Sequence, residues 1–196
     1  MRMTHDNLIV PDPQPTRADA LKNRALLLET AARLFAEQGV EAVTMSAIAE
    51  AAGVGKGTLY RHFQNKTELC HALLDHKDRE LQERTLQRLR EVCNPVGNLR
   101  WFLTEIAHYV KENEELLGAG DTSGIPSLEH PANWWVRQTI RGLLGQAKLS
   151  GDLDYLTDLL YVMVDVRTIR YLYHTRRNSM ERIIDGMLAA IDRLLV

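Results

Sequence analysis

The stretch from Thr44 to Lys66, TMSAIAEAAGVGKGTLYRHFQNK, constrains the fold more than any other part of the chain. It predicts two short helices separated by a turn at Gly53, because glycine readily adopts the positive φ that such a turn requires. Its apolar residues recur at helical spacing and predict a small core shared with a preceding helix. These are Ile48, Ala49, Ala52, Val54, Leu59 and Phe63. A compact unit of three helices is expected.

Helical patterns and helix-end signals continue through the rest of the chain. A first helix from about Asp19 ends at Gly39, a typical stop residue. Asn65 followed by Glu68 is typical of a capping box and predicts a long helix to about Val92.

The second half of the chain has the same kind of signals. Asn94-Pro95 places an N-cap residue before a proline in the first helical position. Further helices are predicted from Pro131, as one continuous apolar helix over 152–174, and from an N-cap at Asn178 to about 195. No convincing strand pattern is found, so we expect an all-α fold of about nine helices.

Composition excludes several classes of protein. No apolar run approaches the length of a membrane span, and residues 1–16 have no signal-peptide core, so we expect a cytoplasmic protein without membrane contact. Cys70 and Cys93 lie far apart and predict reduced thiols. His71 and His76 are five residues apart, which is not the spacing of a helix-face pair, so we expect neither a metal nor a cofactor.

The net charge of −2 hides an uneven distribution along the chain. Residues 17–66 hold seven lysines and arginines against five acids, a balance of +2, whereas residues 67–196 hold sixteen against nineteen, a balance of −3. Three of the seven, Lys56, Arg61 and Lys66, lie within or just after the second short helix. Such a local basic face is sufficient for contact with nucleic acid.

The start of the second short helix is where core packing alone explains least. Gly55 and Gly57 weaken a helix, but the missing Cβ atoms allow a close approach to its first turn. Lys56 and Arg61 are long donors suited to guanine edges or phosphates, and Tyr60 and His62 suit phosphate oxygens or thymine methyl groups. A solvated surface would explain each residue singly. Double-stranded DNA is the first candidate for the set.

The pattern T-x3-I-A-x2-A-G-V-G-x-G-T-x-Y-x-H-F-x2-K over residues 44–66 closely resembles the helix-turn-helix signature of the tetracycline-repressor (TetR) family of transcriptional regulators. The preceding segment LETAARLFAEQGVEAVT also matches, and the resemblance covers about residues 20–70. It implies three parts: a flexible tail over 1–16, a helix-turn-helix DNA-binding domain over 17–66, and a helical effector-binding and dimerisation domain over 67–196.

The family resemblance also implies roles for individual residues. Those expected nearest to base edges are Lys56, Gly57, Tyr60 and Arg61. Those expected to hold phosphates are Thr44, Ser46, Thr58, His62 and Lys66. A homodimer would then place its second short helices in successive major grooves of a palindromic operator, with half-sites about 34 Å apart.

Family members usually bind a small molecule in the second domain, and three predicted helices supply aromatic and polar side chains for such a pocket. The candidates are Trp101, Phe102, Glu105 and Tyr109, then Trp134, Trp135 and Gln138, and finally Tyr161, Asp165 and His174. An aromatic pocket with one or two acids would suit a flat apolar or cationic effector. Aromatic residues at helical spacing are, however, more often core residues.

Asp165 lies inside the apolar run YVMVDV and has two interpretations. One is an ion pair with Arg167 or Arg170, within the chain or across a dimer interface, and the other is contact with an effector. Helices 152–174 and 178–195 present too much apolar surface for an isolated hairpin, which predicts a four-helix bundle with a second copy through about 152–195.

Three functions remain to be compared. The first is a homodimeric repressor that a small-molecule effector releases from its operator. The second is an effector-independent repressor or an architectural DNA-binding protein, and a titration of operator affinity with small-molecule extracts would distinguish the two. The third is an enzyme, which the absence of a visible nucleophile–base set or metal-ligand pair disfavours.

Overall fold

The computed structural model describes residues 17–119, 131–149 and 151–194, and the predicted tail over 1–16 lies outside them. Within these ranges the chain forms ten α-helices, one π-helical turn and no strand, so the all-α prediction is confirmed. The first five helices are α1 Arg17–Gln38, α2 Met45–Ala51, α3 Lys56–His62, α4 Lys66–Glu91 and α5 Pro95–Glu112. They are followed by α6 Glu114–Gly118, α7 Pro131–Gln146, α8 Leu153–Val164, α9 Val166–Arg170, the π-helical turn Tyr171–Thr175 and α10 Met180–Leu194.

Most of the predicted helix ends are confirmed. Gly39 follows α1 with a φ of 81°. Asn65 caps α4 by accepting a hydrogen bond of 2.8 Å from the Glu68 backbone N–H, and Asn94 caps α5 in the same way from Gly97 at 2.9 Å. In a capping box the Glu68 carboxylate would also accept from the N–H of Asn65. Here it accepts instead from the N–H of Gln64, one residue earlier.

Two predictions in the last third of the chain are wrong. The apolar run over 152–174 is not one helix, because Asp165 has extended backbone angles and caps α9 through a 2.9 Å hydrogen bond from the Arg167 N–H. Its carboxylate is half-buried and satisfied by this backbone contact. The cap of α10 is Ser179, whose hydroxyl accepts from the Arg182 N–H, and Asn178 instead accepts from the Arg182 side chain. The break at Asp165 and the short α6 raise the number of helices above nine.

Two separate hydrophobic clusters hold the described residues together. The N-terminal cluster contains buried side chains of α1, α2, α3 and the start of α4, among them Leu27, Ile48, Leu59 and Leu69. The C-terminal cluster extends from Leu81 to Ile191 and contains buried side chains of α4, α5, α7, α8, α9 and α10. Helix α4 has side chains in both clusters, so the predicted division into domains at residue 66 would fall at the start of a continuous helix.

The apolar stripe of the last helix packs inside its own chain. Ile183, Ile184, Met187 and Ile191 are buried in the C-terminal cluster, beside α5. These four side chains are therefore not available to a second copy, and the bundle through about 152–195 stays a prediction. None of the helices described here is both long and apolar enough to cross a membrane.

Candidate nucleic-acid interface

The backbone between α2 and α3 is a tight turn built by one glycine. Thr44 caps α2, since its hydroxyl accepts a 3.1 Å hydrogen bond from the Ala47 N–H. After α2, Gly53 has a φ of 66° and donates to the Glu50 carbonyl at 3.0 Å. Val54 then donates to the Ala49 carbonyl at 3.0 Å. The predicted helix–turn–helix geometry therefore follows from local hydrogen bonds and one left-handed residue.

The other two glycines of this segment have no such conformational role. Gly55 is the N-cap of α3 with an ordinary φ of −66°, and Gly57 lies inside the helix. A Cβ built on either residue would meet nothing within 4 Å. Because the fold itself does not require these glycines, their missing Cβ atoms are best explained by close contact with something outside the chain.

Helix α3 presents one exposed face above the N-terminal cluster. Leu59 is completely buried, whereas Tyr60 is 49% exposed and Lys56, Gly57 and Arg61 are also exposed. Positions 56, 57, 60 and 61 lie on one side of a helix, because residues three and four apart are neighbours on its surface. The four residues predicted to lie nearest to bases therefore share one surface.

The charge of this surface is not neutralised within the described part of the chain. Arg33 forms an ion pair with Glu37 at 3.2 Å, and Arg24 forms one with Asp75 at 3.6 Å. Lys56 and Arg61 form no ion pair with any described residue. Helix α3 thus carries two positive charges that no described residue pairs with, and these favour an anionic ligand.

The residues predicted to hold phosphates differ in their exposure to solvent. Thr44 is exposed, while Ser46, Thr58 and His62 are half-buried. Burial, followed by the positive charges of Arg61 and Arg24, lowers the pKa of His62, so its ring is neutral at neutral pH. The Nε2 atom of His62 has no hydrogen-bond partner among the described residues. Because this atom is also buried, the ring would have to turn before Nε2 could bond an external oxygen.

Lys66 makes two contacts with residues outside its own helix. Its Nζ donates to the Glu41 carbonyl at 3.3 Å and lies 5.9 Å from the centre of the Phe35 ring. The lysine therefore joins the start of α4 to the segment between α1 and α2. The contact of Lys66 with a DNA phosphate stays a prediction. The two internal contacts show that this lysine also stabilises the fold.

Arg24, which the sequence pattern does not predict as part of the interface, contacts the end of α3. The guanidinium of this α1 residue lies 5.3 Å from the centre of the buried Phe63 ring and pairs with Asp75 of α4. One side chain thus links α1, the C-cap of α3 and α4. No local motif marks it, because its partners are 39 and 51 residues away in the sequence.

The predicted effector-binding residues do not meet in one place. Trp101, Glu105 and Tyr109 occupy one face of α5 and contact α4 residues. Their partners are Arg88 at 4.9 Å from the Trp101 ring centre, Arg84 at 2.8 Å from Glu105, and Asp78, hydrogen-bonded to Tyr109. Phe102, Trp135 and Tyr161 belong to the C-terminal cluster, whereas Trp134 and Gln138 are exposed. Asp165 caps α9, and His174 bonds Glu114 at 2.8 Å.

A polar groove between α4 and α5 has a volume of about 530 Å³. Of the predicted effector residues only Tyr109 lines it, and its other lining residues are Lys77, Glu80, Glu83, Arg84, Gln87 and Glu112. The assignment of effector-binding residues therefore stays a prediction. No group of three or more candidate metal ligands occurs among the described residues, where both cysteines are free.

Comparison with known proteins agrees with the geometry of the first three helices. Residues 27–73 match the profile of the bacterial regulatory proteins of the tetR family. Over this segment the chain is therefore similar to the tetR-family regulators. The matched residues include α2, the turn at Gly53 and α3, as the sequence pattern predicts.

Two relatives show how far this similarity extends. The chain is 52% identical over 54 residues to the HTH-type transcriptional regulator SAB2452 of Staphylococcus aureus, covering 28% of this chain and 29% of the relative. It is 40% identical over 93 residues to the HTH-type transcriptional regulator TtgR of Pseudomonas putida, covering 46% of this chain and 44% of the relative. The matched segment therefore spans less than half of either relative.

The TetR fold itself extends over most of the chain. Thermus thermophilus FadR, a TetR-family transcriptional repressor solved in complex with lauroyl-CoA, superimposes with a TM-score of 0.67 at 20% identity. The superposition covers 86% of this chain and 92% of FadR. The N-terminal helix-turn-helix followed by a helical C-terminal part is thereby confirmed as the architecture.

Proposed function

We propose that this protein is a DNA-binding transcriptional regulator that binds a palindromic operator as a homodimer and represses transcription. The observation that carries the proposal is the exposed face of α3. There, two cationic side chains without an ion pair among the described residues flank a glycine that the fold does not require. A major groove admits a helix of this kind, and the absent Cβ at Gly57 allows the helix backbone close to the DNA. The relatives named above are transcriptional regulators, which favours this function over an enzyme.

The contacts divide into two classes by position on the domain. Lys56, Gly57, Tyr60 and Arg61 read base edges from the shared face of α3. Contacts to phosphates, which fix the position of the domain but carry no sequence information, come from residues at the border of this face. These are Thr44, Ser46, Thr58, His62 and Lys66. We place the DNA-binding domain at residues 17–66 and the effector-binding and dimerisation domain at 67–196.

The dimer forms through residues 152–195, and the support for it comes mainly from α8. Tyr155 and Val162 are 69% and 55% exposed and lie seven residues apart on one side of α8, where they form an apolar surface that another helix can cover. On α10, Gly186 and Ala189 are exposed small residues that allow another helix to approach closely. A second copy related by two-fold symmetry covers both helices as a four-helix bundle.

A small-molecule effector releases the dimer from DNA. The support is that FadR, which has the same fold, was solved with lauroyl-CoA. The aromatic residues of α5, α7 and α8 supply an apolar environment for such a molecule, since binding pockets are largely apolar with a few placed polar groups. The alternative is an effector-independent repressor or architectural protein. As a cytoplasmic regulator, the protein would meet its operator DNA and its effector in one compartment.

Selection of bound duplexes from a random DNA pool tests the proposal. We expect recovery of a palindrome whose half-sites are centred about 34 Å apart, or slightly more, because a two-fold dimer presents two equivalent α3 helices. Arg61→Ala should relax base preference within each half-site. A recovered pool without palindromic enrichment would contradict the proposed operator. Loss of operator binding on addition of a small-molecule extract would favour the effector-responsive form, and no response to any extract would favour the alternative.

A further inference from the structure

Helix α6 contacts both hydrophobic clusters. Leu116 and Ala119 pack in the N-terminal cluster, and the neighbouring Leu117 packs against the C-terminal cluster. At the start of α4, the Thr67 hydroxyl donates a 3.0 Å hydrogen bond to the Ala119 carbonyl. Helix α6 therefore connects the C-terminal cluster to the N-terminal cluster, which contains the buried Leu59 of α3.

The first turn of α6 is held by one carboxylate. Glu114 Oε1 lies 2.8 Å from Nε2 of His174 in the π-helical turn and 3.2 Å from Nζ of Lys111 in α5. Three elements thus meet at Glu114, whose side chain is only 15% exposed, whereas that of His174 is 51% exposed. The shielding of Glu114 strengthens these contacts relative to an ion pair between two exposed groups.

The surroundings keep Glu114 ionised. Burial opposes its ionisation, but hydrogen bonds from His174 and Lys111, together with their positive charges, outweigh this and lower the pKa of Glu114. A protonated His174 adds a positive charge to its contact with Glu114, whereas the neutral ring contributes only a hydrogen bond. The contact between α6 and the π-helical turn is therefore stronger in acid.

Other charged and titratable groups around His174 have contacts of their own. Lys111 Nζ lies 4.2 Å from the centre of the Tyr173 ring, and that ring is 5.0 Å from the His174 ring. From α9, the Arg170 guanidinium lies against Gly118 at the end of α6. From α10, Arg182 donates to Asn178 at 3.2 Å. Among the described residues, Glu114 is the acid in contact with the imidazole of His174.

We propose that Glu114 is a positioning residue whose contact with His174 fixes α6 and makes operator affinity depend on the protonation of His174. The operator part rests on the proposed function, whereas the positioning of α6 does not. Both parts follow from one carboxylate that joins α5, α6 and the π-helical turn.

Two substitutions at His174 separate its charge states. His174→Lys keeps a cation beside Glu114 at every pH near neutrality, and His174→Gln keeps a neutral hydrogen-bonding group. We expect operator affinity of the unsubstituted protein to differ by about two- to fivefold between pH 6 and pH 8 at constant salt, the effect of one partly exposed ion pair. The operator affinity of the unsubstituted protein should equal that of His174→Lys at pH 6 and that of His174→Gln at pH 8.

A matched control is available on α4. His76 Nδ1 lies 3.4 Å from Glu80, but this pair joins two turns of one helix and both side chains are exposed. His76→Gln should therefore keep the pH dependence of the unsubstituted protein. If His174→Gln also keeps it, the proposal is overturned.

Hydrogen exchange in the absence of DNA tests the positioning of α6 independently of the proposed function. At a single pH, the amides of residues 111–119 should exchange more slowly in His174→Lys than in His174→Gln, by a factor of about two to five. Equal exchange in the two variants would overturn the positioning role. A failure of operator binding in every variant, with the exchange difference intact, would instead count against the proposed function.

Discussion

Gly53 and Gly57 lie four residues apart in the helix-turn-helix and are present for different physical reasons. Gly53 has a φ of 66°, a conformation that costs other residues about 1–2 kcal/mol. Gly57 has helical geometry and open space where its Cβ would be. The fold accounts for the first glycine, and the proposed contact with DNA accounts for the second.

Gly57→Ala should therefore separate stability from function. We expect it to raise the free energy of unfolding by up to about 1 kcal/mol, because alanine is the better helix former, and to weaken operator binding through the added Cβ. Thermal unfolding and fluorescence anisotropy with labelled operator measure the two effects. Gly53→Ala is the matched control and should lower stability. Unchanged operator affinity in Gly57→Ala would show that α3 does not approach DNA closely.

Lys66 and Lys56 allow a second test at the scale of single residues. Lys66→Ala should lower the free energy of unfolding by about 1 kcal/mol, because its hydrogen bond to the Glu41 carbonyl is lost. The same substitution should also weaken binding to all DNA sequences. It should reduce the slope of the logarithm of the binding constant against the logarithm of the salt concentration by about one.

Lys56→Ala is the control for this test, since Lys56 is exposed and has no ion pair among the described residues. Its stability should be unchanged, and specific binding should weaken by about 1–3 kcal/mol with relaxed sequence choice. An equal loss on operator and random DNA for both variants would contradict the division between base and phosphate contacts.

Among the elements, the break between α8 and α9 shows how a single polar residue can divide an apolar helix. Val164 and Ile169 on either side are buried in the same cluster, so hydrophobic periodicity continues through the break. Asp165 interrupts the helix because its carboxylate accepts the Arg167 N–H and starts a new one. The change of direction accompanies the π-helical turn that carries His174 towards α6.

Asp165→Asn and Asp165→Ala distinguish capping from an ion pair. Asparagine is as good an N-cap as aspartate, so Asp165→Asn should leave the free energy of unfolding nearly unchanged. Asp165→Ala should lower it by about 1 kcal/mol. Chemical denaturation measures both variants. If asparagine costs as much as alanine, the charge of Asp165 is what stabilises the structure.

For the whole molecule, the proposed dimer depends on which apolar surfaces stay exposed after the two hydrophobic clusters have packed. The apolar residues of α10 are largely used within the chain, and the exposed apolar residues of α8 are left. Helices α4 and α6 have side chains in both clusters, so packed elements connect the proposed dimerisation surface with α3.

Val162→Asp should convert the proposed dimer into a monomer, because a charge buried in a helical bundle without a partner is strongly unfavourable. Sedimentation at micromolar concentration measures the oligomeric state, and circular dichroism checks that the monomer is folded. Leu86→Asp is the matched control, since Leu86 is an exposed apolar residue of α4 outside the proposed surface. An unchanged sedimentation coefficient for Val162→Asp would contradict the α8 interface.

The sequence by itself determined the local structure: the all-α class, the caps at Thr44, Asn65 and Asn94, and the turn at Gly53. These features follow from spacing and from contacts within about four residues, which a linear pattern records. It also identified the α3 residues that share one exposed face, because neighbours on a helix follow from its period.

Only the tertiary structure decided which long-range partners each side chain has. Three contacts join separate elements: that of Arg24 with the Phe63 ring, that of Lys66 with the Glu41 carbonyl and that of Glu114 with His174. The same holds for the dispersal of the predicted effector residues and for the internal packing of α10. Helical periodicity states which side chains share a face, but the packing of the elements decides what that face meets.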